Sequence, residues 1–276
     1  MTDTEAAPAP MPAPVGPEAE KRDWARLVTR VAVALALASV AVALIAAVGS
    51  GQGLWHFRPG FTVLRYAFFA AIAASLLAVV GLVLARRLRK ASLMLPNLIA
   101  LVAALGFVLY VGSWVAKARS VPAIHDVSTN LEDVPQFSAL AVRQDNLDGV
   151  PDEGKPELKA LDPYSRWKAI HGEHYGDLET MRLAMAPADV IRKAERLARE
   201  RGWAIAKVDT AAGILEATET SRFFRFKDDV IVRARPAPDG NGTLVDMRSI
   251  SRVGGSDVGM NAKRVREFLG DLQEQP

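Results

Sequence analysis

Hydrophobic and polar positions follow two rhythms along this chain. Leu27–Val48, Tyr66–Ala85 and Leu93–Val115 are nearly unbroken apolar runs, whereas from Leu178 onward apolar residues alternate with polar ones or recur every three to four positions. The first run holds 22 residues and one charge, Arg30 near its start. At 1.5 Å per residue it reaches roughly 33 Å, enough for a hydrocarbon core of about 30 Å. All three runs are therefore predicted to span a membrane. Little more than Arg86, Arg87, Arg89 and Lys90 joins the second to the third, which predicts a tight helical hairpin; Pro96 falls in the first turn of the third, where its missing N–H costs little.

Basic residues fix the expected orientation. Lys21, Arg22, Arg26 and Arg30 precede or open the first span and four cations join spans two and three, while the intervening loop has only Arg58 and Arg65 at its edges. The positive-inside rule puts both clusters in the cytoplasm, so three crossings send everything after Lys117 to the opposite side, which in a bacterium is the periplasm. The aromatic patch Trp55, His56, Phe57 suits a headgroup boundary. No Asp, Glu, Lys or His interrupts the spans to mark an ion path, and Asn97 near one end is a weak exception; Ala, Gly and Ser suit close helix packing. The expectation is an anchor, residues 21–116, and not a transporter.

Two stretches lack either rhythm. Residues 1–20, with five prolines and four acids, have almost nothing to bury and read as a disordered tail; the long apolar run that follows is unlike a signal peptide. Residues 117–177 are rich in Pro, Asp, Glu and Gly and read as an extended arm with one helical turn near Tyr164–Ile170. His171 and His174 sit near Glu173 and Asp177, but Gly172 and Gly176 are expected to break any helix that would align the imidazoles, so no metal is assigned.

Regular patterning returns over residues 178–276. Leu178–Met185 reads as a strand. Pro187 opens a helix with Val190, Ile191, Ala194, Leu197 and Ala198 on one face, ended by Gly202. Trp203–Asp209 and Ile214–Thr220 form a hairpin; Phe226–Arg235 and Thr243–Arg252 alternate as strands. Met260–Leu272 closes the chain with Val265, Phe268, Leu269 and Leu272 as its apolar stripe. Strand, helix, four strands, helix predicts an α+β two-layer domain, an antiparallel sheet with two helices on one face, with a helix-grip-like arrangement as one version.

Charge and composition change the picture in two places. The net charge of +3 invites a nucleic-acid reading, but residues 1–116 hold 10 Lys+Arg against 5 Asp+Glu while residues 117–276 hold 24 against 26. The excess basicity belongs to the membrane part, and the polar part offers no surplus cation to a phosphate backbone. The absence of cysteine excludes disulfides, thiol catalysis and cysteine-ligated metals.

Three segments carry a resemblance. Ala217–Arg233 (ATETSRFFRFKDDVIVR), Val245–Arg264 (VDMRSISRVGGSDVGMNAKR) and Ile124–Thr129 (IHDVST) together look like the bacterial family catalogued as domain of unknown function 1499, over roughly residues 121–272. The resemblance implies a membrane-attached envelope domain and brings no substrate, cofactor or catalytic residue with it.

The matching residues hold the candidate chemistry. Asp228 and Asp229 are adjacent on a strand, point to opposite faces and cannot act as an acid/base pair. Asp228 shares the face of Phe226 and Val230, so a buried carboxylate there needs a partner; Arg222, Arg252 or the glycine-turn N–H groups are candidates. In the turn, Asp257 is a possible N-cap of the last helix. A helix N-terminus beside arginines also binds anions, yet two charged hydrogen bonds plus the helix end supply only roughly 4 kcal/mol, a millimolar affinity. Asp228, Arg248, Ser251, Arg252, Asp257, Asn261 and Arg264 are the candidate ligand-binding residues, with a latch between sheet and helix as the preferred role. The expected function is a non-enzymatic module for an envelope protein or lipid headgroup, without cofactor or nucleic acid. The alternative is a hydrolase using Ser249 or Ser251 with Asp228, which lacks a histidine because all four precede Tyr175.

Overall fold

The computed structural model describes residues 17–274. Of the expected tail, residues 1–16 lie outside them, and Pro17–Glu20 open the first helix. The described residues divide into two compact units, 17–46 with 58–111 and 47–57 with 112–274.

Three helices, α1 (Pro17–Gly51), α2 (Phe57–Arg87) and α3 (Met94–Ser120), carry the three candidate membrane spans. Each extends beyond its apolar run. Within the first unit, Ala32 and Ala36 of α1 pack with Ala71, Ala74 and Ala78 of α2 and Ala100 and Ala104 of α3. Small side chains let the backbones approach closely where lipid gives no hydrophobic drive. Asn97 is fully buried among them. Its amide donates to Thr29 Oγ1 (2.8 Å) and to the Leu93 carbonyl (2.8 Å), and it lies against Gly81, where any added Cβ would fall 2.1 Å from Asn97 Oδ1. The one polar residue the sequence sets aside as minor therefore bonds α3 to α1 across the space that Gly81 of α2 leaves open.

The second unit is an α+β domain. Its strands are β1 (Asp126–Ser128), β2 (Met181–Leu183), β3 (Ala204–Asp209), β4 (Ile214–Thr220), β5 (Lys227–Pro236) and β6 (Thr243–Ser251). All pairings are antiparallel in the order β1-β6-β5-β4-β3, and β2 shares the outer edge of β6 with β1. The strand expected over Leu178–Met185 shortens to three residues, because β6 offers an edge only from Thr243 to Val245 there. Helices α6 (Pro187–Glu200) and α7 (Met260–Glu274) bury the stripes expected of them, Val190, Ile191, Ala194, Leu197 and Ala198 on one and Val265, Phe268, Leu269 and Leu272 on the other. Trp203 stacks on Phe268 at 4.9 Å between them.

Residues 117–177 contribute more than an extended path. They supply β1, the short α4 (Pro156–Lys159) and a 13-residue α5 (Pro163–Tyr175), capped by Asp162 through Tyr164 N and Ser165 N. The sequence pattern predicts one helical turn here, with Gly172 as its breaker. The helix instead runs on because Trp167, Ile170, His171 and Tyr175 share a buried face that outweighs about 1 kcal/mol of glycine penalty. Ile124, Val127, Trp167 and Ile170 belong to the same core as α6 and α7. Residues 133–140 then cross the sheet face opposite those helices, where Glu216, Asp229, Asp246 and Arg248 point.

Candidate functional site

Alternation along β5 and β6 divides the candidate residues between the two faces of the sheet. Asp228 pairs with Ser251 in the β5–β6 register and Val230 with Ser249, so these side chains point together at α7. Arg264, one turn into α7, reaches into the group. Its Nη2 donates to Asp228 Oδ2 (2.7 Å), its Nη1 to Ser249 Oγ (2.9 Å) and to Asn261 Oδ1, and its Nε to Glu219 of β4. Ser249 Oγ donates to Asn261 Oδ1 (2.7 Å), and the Asn261 amide donates to Ser251 Oγ (3.0 Å) and the His125 carbonyl (2.8 Å). Asp228, Ser251, Asn261 and Arg264 are thus brought together. The partner of Asp228 differs from the candidates: it is Arg264, because the i+2 rule carries Arg252 to the other face.

The glycine turn holds this network in place. Gly254 and Gly259 take φ of +90° and +73°, and Val258 between them is left-handed at +56°, a strained conformation for a β-branched residue costing about 1–3 kcal/mol. Asp257 restrains it by accepting from Gly259 N (2.8 Å) and Asn261 N (2.5 Å), and so caps α7 as its position in the sequence predicts. Burial pushes the Asp257 carboxyl upward while the two N–H groups pull against it. The anion-binding positions at this helix end are already filled by the chain's own carboxylate.

Arg248 and Arg252 belong to the opposite face and never meet that group. Arg248 forks onto Asp126 of β1 (2.9 and 2.6 Å), donates to the Pro135 carbonyl and lies under Phe137; Asn146 donates to the same carboxylate (2.7 Å). Arg252 grips Asp229 (2.8 Å at both oxygens) and Thr218. Asp246 accepts from Thr180, Arg233 and Arg235; burial raises its carboxyl, yet these donors outweigh burial and hold it below the ordinary range. Glu216 is fully buried and accepts from Ser138 N (2.8 Å), Ser138 Oγ (2.6 Å), Ala139 N (2.9 Å) and Leu140 N (2.8 Å). Burial raises that carboxyl too, and the four donors more than reverse it. Three successive N–H groups of residues 138–140 form a nest around it.

Glu216, Asp126 and Asp246 are missing from the sequence-derived candidates. Alternation places Glu216 and Asp246 on the face away from the helices, which reads as solvent; only the fold shows that face covered. The one available signal is the density of carboxylates alternating with Leu215, Ala217, Val245 and Met247.

Other clusters carry less chemistry. His125 turns its ring to Asn146 (3.2 Å), so the histidine whose carbonyl meets Asn261 is not paired with Ser249 or Ser251, both buried. His171 accepts from Ser128 N (3.2 Å), and burial lowers its pKa to about 4. Ligand atoms of Glu153, Glu173 and His174 lie within 4.8 Å of one another, but Lys155 bridges both glutamates at 3.1 and 2.9 Å and supplies the cation. A half-open cleft of about 430 Å³ lies beside residues 132–136, walled by Glu132, Asp133, Tyr164 and Trp167 with the Asp126–Arg248 pair in it.

Fold and site together describe a class of protein in which three helices, long and apolar enough to cross a membrane, are joined to an α+β domain whose polar residues tie sheet, arm and last helix to one another. Within that class the chain belongs to the family described as protein of unknown function (DUF1499), whose model matches residues 126–272, from the first residue of β1 to Leu272 in α7. No curated protein and no solved structure matches the chain.

Proposed function

We propose that this protein is a non-enzymatic interaction module of the bacterial cell envelope, anchored in the cytoplasmic membrane by three spans with its α+β domain in the periplasm. The observation that carries this reading is the internal use of the candidate residues. Asp228, Ser249, Ser251, Asn261 and Arg264 are engaged with one another, and Asp257 caps its own helix. A nucleophile needs a base within hydrogen-bond reach and an open face; neither buried serine has them. What the domain presents outward is surface, including the cleft beside Tyr164, to a protein or lipid of the envelope. Two basic clusters in the sequence and three candidate spans among the described residues support this orientation.

Two measurements test it. A C-terminal alkaline-phosphatase fusion is expected to be active and a cytoplasm-dependent reporter silent; the reverse pattern overturns the orientation. Full-length protein extracted into lipid discs is expected to carry one envelope protein or lipid in fixed ratio, lost when Tyr164→Ala and Glu132→Lys alter the cleft. Ester hydrolysis abolished by Ser251→Ala would instead make it an enzyme.

A further inference from the structure

We infer that the tip of the β4–β5 hairpin, with the loop after β6 beside it, seats in the headgroup layer of the membrane that α1 and α2 cross and engages anionic lipid headgroups there. This rests on the membrane anchoring within the proposed function, and not on the side the domain occupies.

The tip has an unusual composition for a turn. Ser221-Arg-Phe-Phe-Arg-Phe-Lys227 places three aromatic and three cationic side chains in seven residues, where hairpin turns ordinarily carry Gly, Asn, Asp or Ser. It is nevertheless firmly shaped. Ser221 N donates to the Phe226 carbonyl and Phe226 N to Ser221 Oγ, both at 2.8 Å, Arg225 takes the left-handed turn at φ +53°, and Phe224 stacks on Phe226 at 5.3 Å. Phe223 is left 41% exposed with Arg222 over its ring. The loop after β6 is held alongside by Arg252 N donating to the Lys227 carbonyl, and it presents Val253, 42% exposed.

Chain continuity locates this surface. Residues 47–57, which leave the first span and enter the second, belong to the same compact unit as the domain. A methyl on Gly51 would fall 2.3 Å from the Phe223 carbonyl oxygen and 2.8 Å from Cγ of Arg225, and Phe57 meets Phe226 edge-on at 5.5 Å. A segment that has just left a hydrocarbon crossing lies at headgroup level, and what packs directly on it does too. Leu54 on that segment is also exposed. Aromatic rings and aliphatic side chains flanked by arginine match that layer, which is apolar on one side and phosphate-lined on the other.

Charge selects the lipid. Arg233, Arg235, Arg248, Arg252, Arg264 and Arg266 each hold a carboxylate. Among the described residues, none pairs with Arg222, Arg225 or Lys227, so three cations at the tip face outward toward headgroups. Cations near an anionic surface are attracted over about a Debye length, and zwitterionic lipid gives no such field.

The absence of native cysteine makes the test direct. Phe223→Cys and Val253→Cys, with Ala211→Cys in the turn at the far end of β4 as reference, are made singly in the full chain. Each is labelled with an environment-sensitive dye and placed in lipid discs containing or lacking phosphatidylglycerol. Dyes at 223 and 253 are expected to be quenched by a shallow spin-labelled lipid and shielded from aqueous iodide, with the opposite at 211. Adding Arg222→Gln and Arg225→Gln to Val253→Cys is expected to remove the extra lipid quenching that phosphatidylglycerol confers. Iodide access at 223 and 253 equal to that at 211 overturns the inference, as does shielding from both quenchers, which would mean a protein or second copy covers the tip. Quenching indifferent to phosphatidylglycerol overturns the lipid selectivity. The fusion reporters read the side of the membrane independently, so failure of the orientation is distinguishable from failure of the docking.

Discussion

Replacing Glu216 with glutamine tests whether residues 138–140 are held by a buried charge. The substitution changes one atom and keeps the volume. Glutamate is an acceptor at both oxygens and meets four donors, Ser138 N, Ser138 Oγ, Ala139 N and Leu140 N. In its best orientation the substituted amide accepts from Ala139 and Leu140 and donates to Ser138 Oγ, which leaves Ser138 N facing another donor. An orphaned buried N–H costs about 1–3 kcal/mol, and three bonds weaken from charged to neutral by roughly 1 kcal/mol each. Relief from burying an ion returns part of this, but the depressed carboxyl shows that the site favours the ionised form overall. The net expectation is about 2–4 kcal/mol, a fall of roughly 5–15 °C in the melting temperature of a domain this size. Full-length Glu216→Gln in detergent, followed by thermal melting and limited proteolysis, is expected to melt earlier and be cut between residues 132 and 147. The same carboxyl makes the wild type acid-labile. Its folded pKa lies below the ordinary 4.5, so its contribution is present above that value and is lost as pH falls through the folded one. Melting within about 1 kcal/mol of wild type, with unchanged cleavage, refutes the reasoning.

Arg264→Met leaves Asp228 buried without its cation and is expected to cost about 3–5 kcal/mol, whereas Arg264→Met with Asp228→Asn recovers much of it; chemical denaturation of both variants measures the difference. His171 is held neutral with its pKa at about 4, so the unfolded chain takes a proton first as pH falls from about 6.5, and stability declines across that window by up to about 3 kcal/mol. A pH series of melts on His171→Gln is expected to be flatter there, and an unchanged slope would assign it to another group. In the membrane part, Gly81→Val drives into Asn97 and is expected to cost about 1–3 kcal/mol, with less loss when Asn97→Ala is present; equal losses with and without Asn97 would deny the contact.

Apolar periodicity determined much of this protein by itself, because it reports which side of an element meets water or lipid. Run length gave the three candidate spans, the i, i+3, i+4 stripes gave α6 and α7 with their buried residues, and alternation gave β3 to β6 and the opposed carboxylates of Asp228 and Asp229. The two motifs singled out the residues that converge between β5, β6 and α7, and the cap at Asp257 was legible from its spacing to the helix. Partner choice was not legible. Arg222 and Arg252 were the arginines the sequence offered to Asp228, and Arg264 was not among them; the register of β5 on β6 and the approach of α7 bring it there. Nor did local pattern reveal β1, because three residues carry no period and exist as a strand only through the free edge of β6. The polar face of the sheet looks like a solvent face until residues 133–140 fold over it. Burial of Glu216 and Asp246 is a property of that crossing, and tertiary structure alone decided it.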